Sequence, residues 1–175
     1  MRIYLVGYSY SGKTTMGREL ARLLGYRFFD TDKGIEIKYH TTINMFFNRY
    51  GEPAFRIIEQ QMLHSTADLD DVVIATGGGA ACHGDNMQFI LDHGIAIYLQ
   101  MSLEQILQRI ARARKGRPSL KGMDDEQRRQ FISRQLSDRI GYYQRAHISF
   151  PAMDAEPQAL LEAYQNYLAS SPRAD

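Results

Sequence analysis

Gly7-Tyr8-Ser9-Tyr10-Ser11-Gly12-Lys13-Thr14 stands between a short apolar run, Ile3-Tyr4-Leu5-Val6, and a segment of helical spacing that opens at Lys13. It satisfies G-x-x-x-x-G-K-[ST] at every fixed position. The spacing has a physical reason. A glycine-bounded loop can turn its backbone N–H groups inward around a polyphosphate, and the following helix adds the positive end of its dipole. Lys13 is expected to reach the β- and γ-phosphates as a point charge. The Thr14 hydroxyl is expected to ligate a Mg²⁺ that bridges phosphate oxygens. The nucleotide-binding candidates are therefore Tyr10, Ser11, Gly12, Lys13, Thr14 and Thr15. No Asn-Lys-x-Asp stretch of the guanine-reading kind occurs, which favours ATP.

Working outward, apolar runs alternate with helical patterns. Strands are predicted at Ile3–Val6, Arg27–Phe29, Val72–Ala75, Ile95–Leu99 and His147–Phe150. Helices are predicted over Lys13–Leu24, Ile35–Tyr39, Ile43–Arg49, Pro53 to about Ala67, Met87–Leu91, a stretch opening at Ser102, about Asp124–Tyr143, and Pro157–Leu168. Ser102 and Gln105 have capping-box spacing. Strands apolar on both faces and separated by helices predict an α/β protein with a parallel sheet covered on both sides. In such sheets ligands bind at the carboxyl ends of the strands. Three predicted strands end there in unusual chemistry: Gly7 to Thr14, Asp30-Thr31-Asp32, and Thr76-Gly77-Gly78-Gly79.

Composition removes several classes. The chain has 175 residues, enough for one domain over 1–175. Twenty-one Lys and Arg against 20 Asp and Glu leave a net charge of +1, which argues against a nucleic-acid partner. No run approaches a membrane span, and the first residues do not look like a signal peptide. With Cys82 as its one cysteine, the chain can form no internal disulfide, as suits a cytoplasmic protein. Cys82 reads as half-buried filler. The five histidines show no metal-ligand spacing. A monomer is expected.

The acceptor side is less explicit. Asp30 and Asp32, two apart at a strand end, would point to one side: one to hold Mg²⁺ through water, the other to take a proton from an attacking hydroxyl. A solvated turn is the rival reading. Arg56 and Glu59 share a helix face at i, i+3, so Glu59 could orient the Arg56 fork toward a substrate carboxylate. An ordinary surface pair would look the same. Three consecutive glycines suggest a ligand close to the main chain, whereas a turn needs one or two. Arg109, Arg112, Arg114, Lys115 and Arg117 place five cations in nine residues, read as a lid over about 109–123. Arg117, stiffened by Pro118, is the choice to neutralise the transferring phosphoryl group.

Taken in order, these motifs resemble shikimate kinase. They are the phosphate loop to Thr15, Asp30-Thr31-Asp32 with Ile35-Glu36, Gly51-Glu52 then Phe55-Arg56 with Glu59, Thr76-Gly77-Gly78-Gly79, Arg117-Pro118, and Arg139 followed by Tyr143. The resemblance implies a fold similar to that of nucleoside monophosphate kinases. That fold has a five-stranded parallel sheet, a substrate-binding helical region at about 33–60 and a lid. It implies ATP- and Mg²⁺-dependent phosphorylation of the shikimate 3-hydroxyl, on the route to aromatic amino acids. It further implies Lys13, Asp32 and Arg117 in catalysis and Thr14 and Asp30 near the metal. Arg112 and Arg117 would contact ATP. Asp32, Phe47, Phe55, Arg56, Gly77, Gly78, Gly79 and Arg139 would surround shikimate. Without the resemblance Arg139 does not stand out from Arg128, Arg129, Arg134 and Arg145.

Two departures matter. The family commonly has Gly where Tyr10 stands, so a positive φ there would strain this chain. The family often has Pro-Leu-Tyr after the substrate arginine, where this chain has Ile140-Gly141-Tyr142-Tyr143. The alternatives are a similar kinase acting on a nucleotide or a sugar acid, and a non-catalytic nucleotide-dependent module, which Tyr10 alone favours.

Overall fold

The computed structural model describes residues 1–113, 120 and 122–170. Five strands form one all-parallel sheet: β1 Arg2–Val6, β2 Arg27–Asp30, β3 Val72–Ala75, β4 Ile95–Gln100 and β5 Ile148–Pro151, in the spatial order β2-β3-β1-β4-β5. β1 sits in the centre, and Ile3, Tyr4, Leu5 and Val6 are all fully buried. That is why the run is apolar on both faces.

Among the described residues seven α-helices flank the sheet: α1 Lys13–Leu24, α2 Thr31–Tyr39, α3 Ile43–His64, α4 Asn86–His93, α5 Leu103–Arg112, α6 Asp125–Tyr143 and, after the last strand, α7 Pro157–Ser170. Gly25 ends α1 in the left-handed conformation. Ser102 and Gln105 form the expected reciprocal cap on α5. Asp124 and Gln127 form another on α6. α3 carries a break at Gly51 (φ 78°, ψ 174°), ahead of Pro53. The sequence expectation of two helices divided at Gly51-Glu52-Pro53 therefore matches the backbone, and the second piece ends at His64 rather than Ala67. α2 starts four residues earlier than expected. Asp30 ends β2 and caps α2 by accepting a hydrogen bond from the Lys33 N–H. Asp32 is consequently helical, and the strand-alternation argument for Asp30 and Asp32 does not hold.

Two apolar clusters follow. The large one wraps the sheet. A smaller one, Ile35, Phe46, Phe55, Ile58 and Met62, glues α2 to α3. This second cluster supports the helical region beside the carboxyl end of the sheet. No described helix is long and apolar enough to cross a membrane.

Candidate active site

A cavity of about 270 Å³ opens at the carboxyl edge of the sheet, lined by Ser9, Tyr10, Gly12, Lys13, Thr14, Thr15, Asp30, Asp32, Thr76 and Gly78. A larger cavity of about 900 Å³ lies on α2 and α3 around Tyr39, Phe46, Tyr50 and Ile57, and none of the site candidates lines it. On the phosphate-loop side, Lys13 is buried and donates to the carbonyls of Gly7 (2.8 Å) and Tyr8 (2.9 Å). The Thr14 hydroxyl donates to Asp30 Oδ2 at 2.7 Å. Tyr10 has φ 68°, so the strain anticipated for a side chain at this position is present.

The Thr14 and Asp30 oxygens suit Mg²⁺. The ion prefers hard oxygen donors and commonly takes one or two protein ligands, filling its shell with water and phosphate oxygens. No cluster of three or more His, Cys, Asp or Glu residues that could cage a metal occurs among the described residues.

On the acceptor side, Arg56 is held by two carboxylates. Its Nη1 donates to Glu59 Oε2 at 2.6 Å, and its Nε and Nη2 reach Glu52 Oε1 at 3.1 and 2.7 Å. Glu59 is only 2% exposed, and burial pushes its carboxyl up to about 7, against the pull of Arg56. A helix-surface pair would stay exposed, so the solvated reading of this pair fails. Glu52, part of the Gly51-Glu52 motif, stands one turn before Arg56, and the i−4 spacing is the signal for this contact. Phe47 and Phe55 pack at 4.4 Å between ring centroids with their planes tilted by 37°, and the Arg56 guanidinium sits 5.5 Å from the Phe55 ring centroid.

The glycine loop binds the two sides together by close approach. A Cβ on Gly77 would fall 2.6 Å from Glu59 Oε1 and 2.8 Å from Asp32 Oδ1. One on Gly78 would strike Ser9 Oγ and lie 3.0 Å from the Ser9 nitrogen. One on Gly79 would lie 3.1 Å from both terminal nitrogens of Arg56. Any side chain here displaces a site residue, and that accounts for the third glycine. The Gly77 N–H donates to Thr31 Oγ1 at 3.1 Å. Ser9 Oγ is buried without a hydrogen-bond partner beside Gly78.

From α6, Arg139 comes within electrostatic reach of Glu52 and Glu59. It is also close enough to bond the Tyr143 hydroxyl, which itself donates to the Gly78 carbonyl. α6 runs unbroken through Tyr143, so the Ile140-Gly141-Tyr142 departure does not shift Arg139 relative to Tyr143. Cys82 is half-buried, and burial raises its thiol.

The lid-side candidates lie as follows. Arg112 is exposed at the end of α5 and makes no hydrogen bond among the described residues. Arg109, three residues earlier, turns inward instead. Its Nη1 donates to the Tyr10 carbonyl (3.1 Å) and its Nη2 to the Ala152 carbonyl (2.9 Å). The helical period favours this, since Arg109 follows Ile106 by three, and Ile106 is the fully buried residue of α5. Arg117, with Arg114, Lys115 and Pro118, lies outside the described residues.

The family model for shikimate kinase matches residues 10–169. This chain belongs to the shikimate kinase family. It is 46% identical over 151 residues to the shikimate kinase of Parabacteroides distasonis, covering 86% of this chain and 87% of that one. The crystal structure of the Bacteroides thetaiotaomicron shikimate kinase superposes with a TM-score of 0.90 at 36% identity, covering 97% of this chain and 98% of that chain. The Acinetobacter baumannii shikimate kinase, solved in complex with shikimate, gives 0.85 at 35% identity, with 97% and 93% covered. The five-stranded parallel sheet is the architecture of this family, and a kinase is the activity class.

Proposed function

We propose that this chain transfers the γ-phosphoryl group of ATP to the 3-hydroxyl of shikimate, yielding shikimate 3-phosphate and ADP. The observation that carries the reading is the meeting of the Asp32 carboxylate and the Arg56–Glu59 pair at Gly77, in a loop pressed against the phosphate loop at Ser9. Phosphoryl transfer asks a protein mainly for positioning and charge neutralisation. Lys13, now folded onto loop carbonyls, swings to the phosphate oxygens when nucleotide displaces those contacts. Ser11, Gly12 and Thr15 complete the loop around the phosphates, with Tyr10 at its tip. Asp32 accepts a hydrogen bond from the attacking hydroxyl and takes its proton as the phosphoryl bond forms. Arg56 and Arg139 hold the carboxylate of shikimate. Arg139 reaches this place from α6, within electrostatic range of Glu52 and Glu59, the two carboxylates that hold Arg56. Phe47 and Phe55 flank the ring, and the main chain at Gly77, Gly78 and Gly79 lies against it.

Mg²⁺, held at Thr14 and Asp30, would neutralise charge on the phosphates. Arg117 takes the γ-phosphoryl role that the resemblance assigns. The protein is read as a cytoplasmic monomer of the pathway to aromatic amino acids.

An ADP-release assay comparing shikimate with gluconate and nucleoside monophosphates tests this. Turnover with shikimate is expected, and turnover only with a monophosphate overturns the reading. Arg56→Ala should raise the KM for shikimate with ATP binding largely kept. A collapse of ATP binding would remove Arg56 from the acceptor site.

A further inference from the structure

Tyr8 is the second residue of the phosphate loop, at a position the motif leaves unspecified. It is 6% exposed. Its carbonyl serves the nucleotide side, accepting from Lys13 Nζ at 2.9 Å and from the Ser11 N–H at 3.2 Å. Its side chain serves the other side. The hydroxyl donates to Gln135 Oε1 at 2.7 Å, and the Arg139 guanidinium lies 5.5 Å from the ring centroid. Gln135, Arg139 and Tyr143 are spaced i, i+4, i+8 and so share one face of α6. Two of the three are tied to site loops by hydrogen bonds: Gln135 to the phosphate loop through Tyr8, and Tyr143 to the glycine loop through the Gly78 carbonyl. Arg139 stands between these two anchors.

We infer that Tyr8 is a positioning residue for the acceptor. Its ring, fixed by the bond to Gln135, holds the Arg139 guanidinium in place to receive the substrate carboxylate. The inference rests on the reading of Arg139 as a carboxylate contact. The physics is a half-buried cation over the face of a buried ring, an electrostatic attraction that strengthens as water is excluded. A long arginine that is already held loses less rotamer entropy when the acid arrives. The phosphate loop and the carboxylate grip are thereby joined through one side chain.

The test is a kinetic double-mutant cycle of Tyr8→Leu and Arg139→Ala, with Mg·ADP affinity measured by titration. Tyr8→Leu should raise the KM for shikimate about fivefold, with kcat within about twofold and Mg·ADP affinity retained. In the Arg139→Ala background it should add almost nothing to that KM. Equal effects of Tyr8→Leu in both backgrounds would overturn the inference and leave Tyr8 as core packing. A normal shikimate KM in Arg139→Ala alone would instead sink the carboxylate reading of Arg139, and the inference with it. Should Tyr8→Leu fail to fold, Tyr8→Phe and Gln135→Leu take its place. Both keep the ring and free it from its anchor, so each should raise the KM for shikimate by about twofold, again only when Arg139 is present. An unchanged KM in both overturns the role of the anchor.

Discussion

The phosphate side and the acceptor side of this site are built differently. The phosphate side is one continuous stretch: Gly7 to Thr15 with Asp30 alongside, shaped by backbone turns and the start of α1. The acceptor side is assembled from α2, both pieces of α3, the glycine loop and α6, meeting at Gly77 and at the Arg56–Glu59 pair. A continuous loop can tolerate a poor residue, since its neighbours in sequence hold it. A composite site depends on close approach between distant segments, so an added methyl group or a lost charge has no local compensation.

The largest effect should come where the two sides meet in the chemistry. Asp32→Asn keeps the shape of the residue and removes the proton acceptor. It should lower kcat by about 10²- to 10⁴-fold while Mg·ADP affinity, measured by titration, stays near normal. A kcat close to that of the parent would take Asp32 out of the reaction and leave the acceptor side a binding surface only.

Next come the glycines, which separate the sides by one residue. In Gly78→Ala the new Cβ meets Ser9 Oγ and the Ser9 backbone nitrogen, so the phosphate loop itself must move. Overpacking of this kind costs about 1–3 kcal/mol, and nucleotide and shikimate binding should both weaken, by on the order of tenfold or more. In Gly79→Ala the Cβ meets only the end of Arg56 at 3.1 Å, a side chain that can shift by a few tenths of an ångström. Its effect should be confined to the KM for shikimate. Equal damage to both substrates in Gly79→Ala would break the division between the two sides.

The division also shows in what the sequence revealed. The phosphate loop was legible because one contiguous motif encodes its geometry. The sheet was legible because buried parallel strands are apolar on both faces. Arg56–Glu59 was visible as a spacing, but its burial was not, since i, i+3 pairs on a helix face usually lie in water. Asp32 was found through a wrong secondary-structure argument: Asp30 is a helix cap, and capping by Asp reads much like a turn. Arg139 needed the family, because nothing local distinguishes it from the other arginines of α6. The inward turn of Arg109 follows from the helical period set by Ile106, a signal that the run of five cations masks.

Glu59 offers a smaller, pH-dependent test of the acceptor side. Burial raises its carboxyl to about 7, with Asp32 pushing the same way and Arg56 and Arg139 opposing. Between about pH 4.5 and 7 the folded state therefore holds a proton that the unfolded chain releases. This contribution to stability falls as pH rises through that window and levels off above it. Glu59→Gln lacks it. Thermal melts should show the variant gaining on the parent from pH 4.5 to 7, by about one to a few kcal/mol. A difference independent of pH would mean the carboxyl is ionised throughout, and that Arg56 outweighs burial.

The smallest effect belongs to the phosphate side, at Tyr10. A residue with a Cβ in the left-handed conformation costs about 1–2 kcal/mol relative to its relaxed state. Glycine removes that strain but adds about 0.5–1 kcal/mol of backbone entropy loss on folding. Tyr10→Gly should therefore gain between nothing and about 1.5 kcal/mol, a rise of at most a few degrees in Tm for a chain of this size. The bond from Arg109 goes to the Tyr10 carbonyl, so it survives the substitution. Mg·ADP should bind as tightly or slightly more tightly, because the loop no longer has to be held in a strained turn. A clear fall in Tm would show that the Tyr10 ring contributes more to the loop than its backbone costs. The phosphate side would then rest on side-chain packing as the acceptor side does, and the contrast between them would narrow.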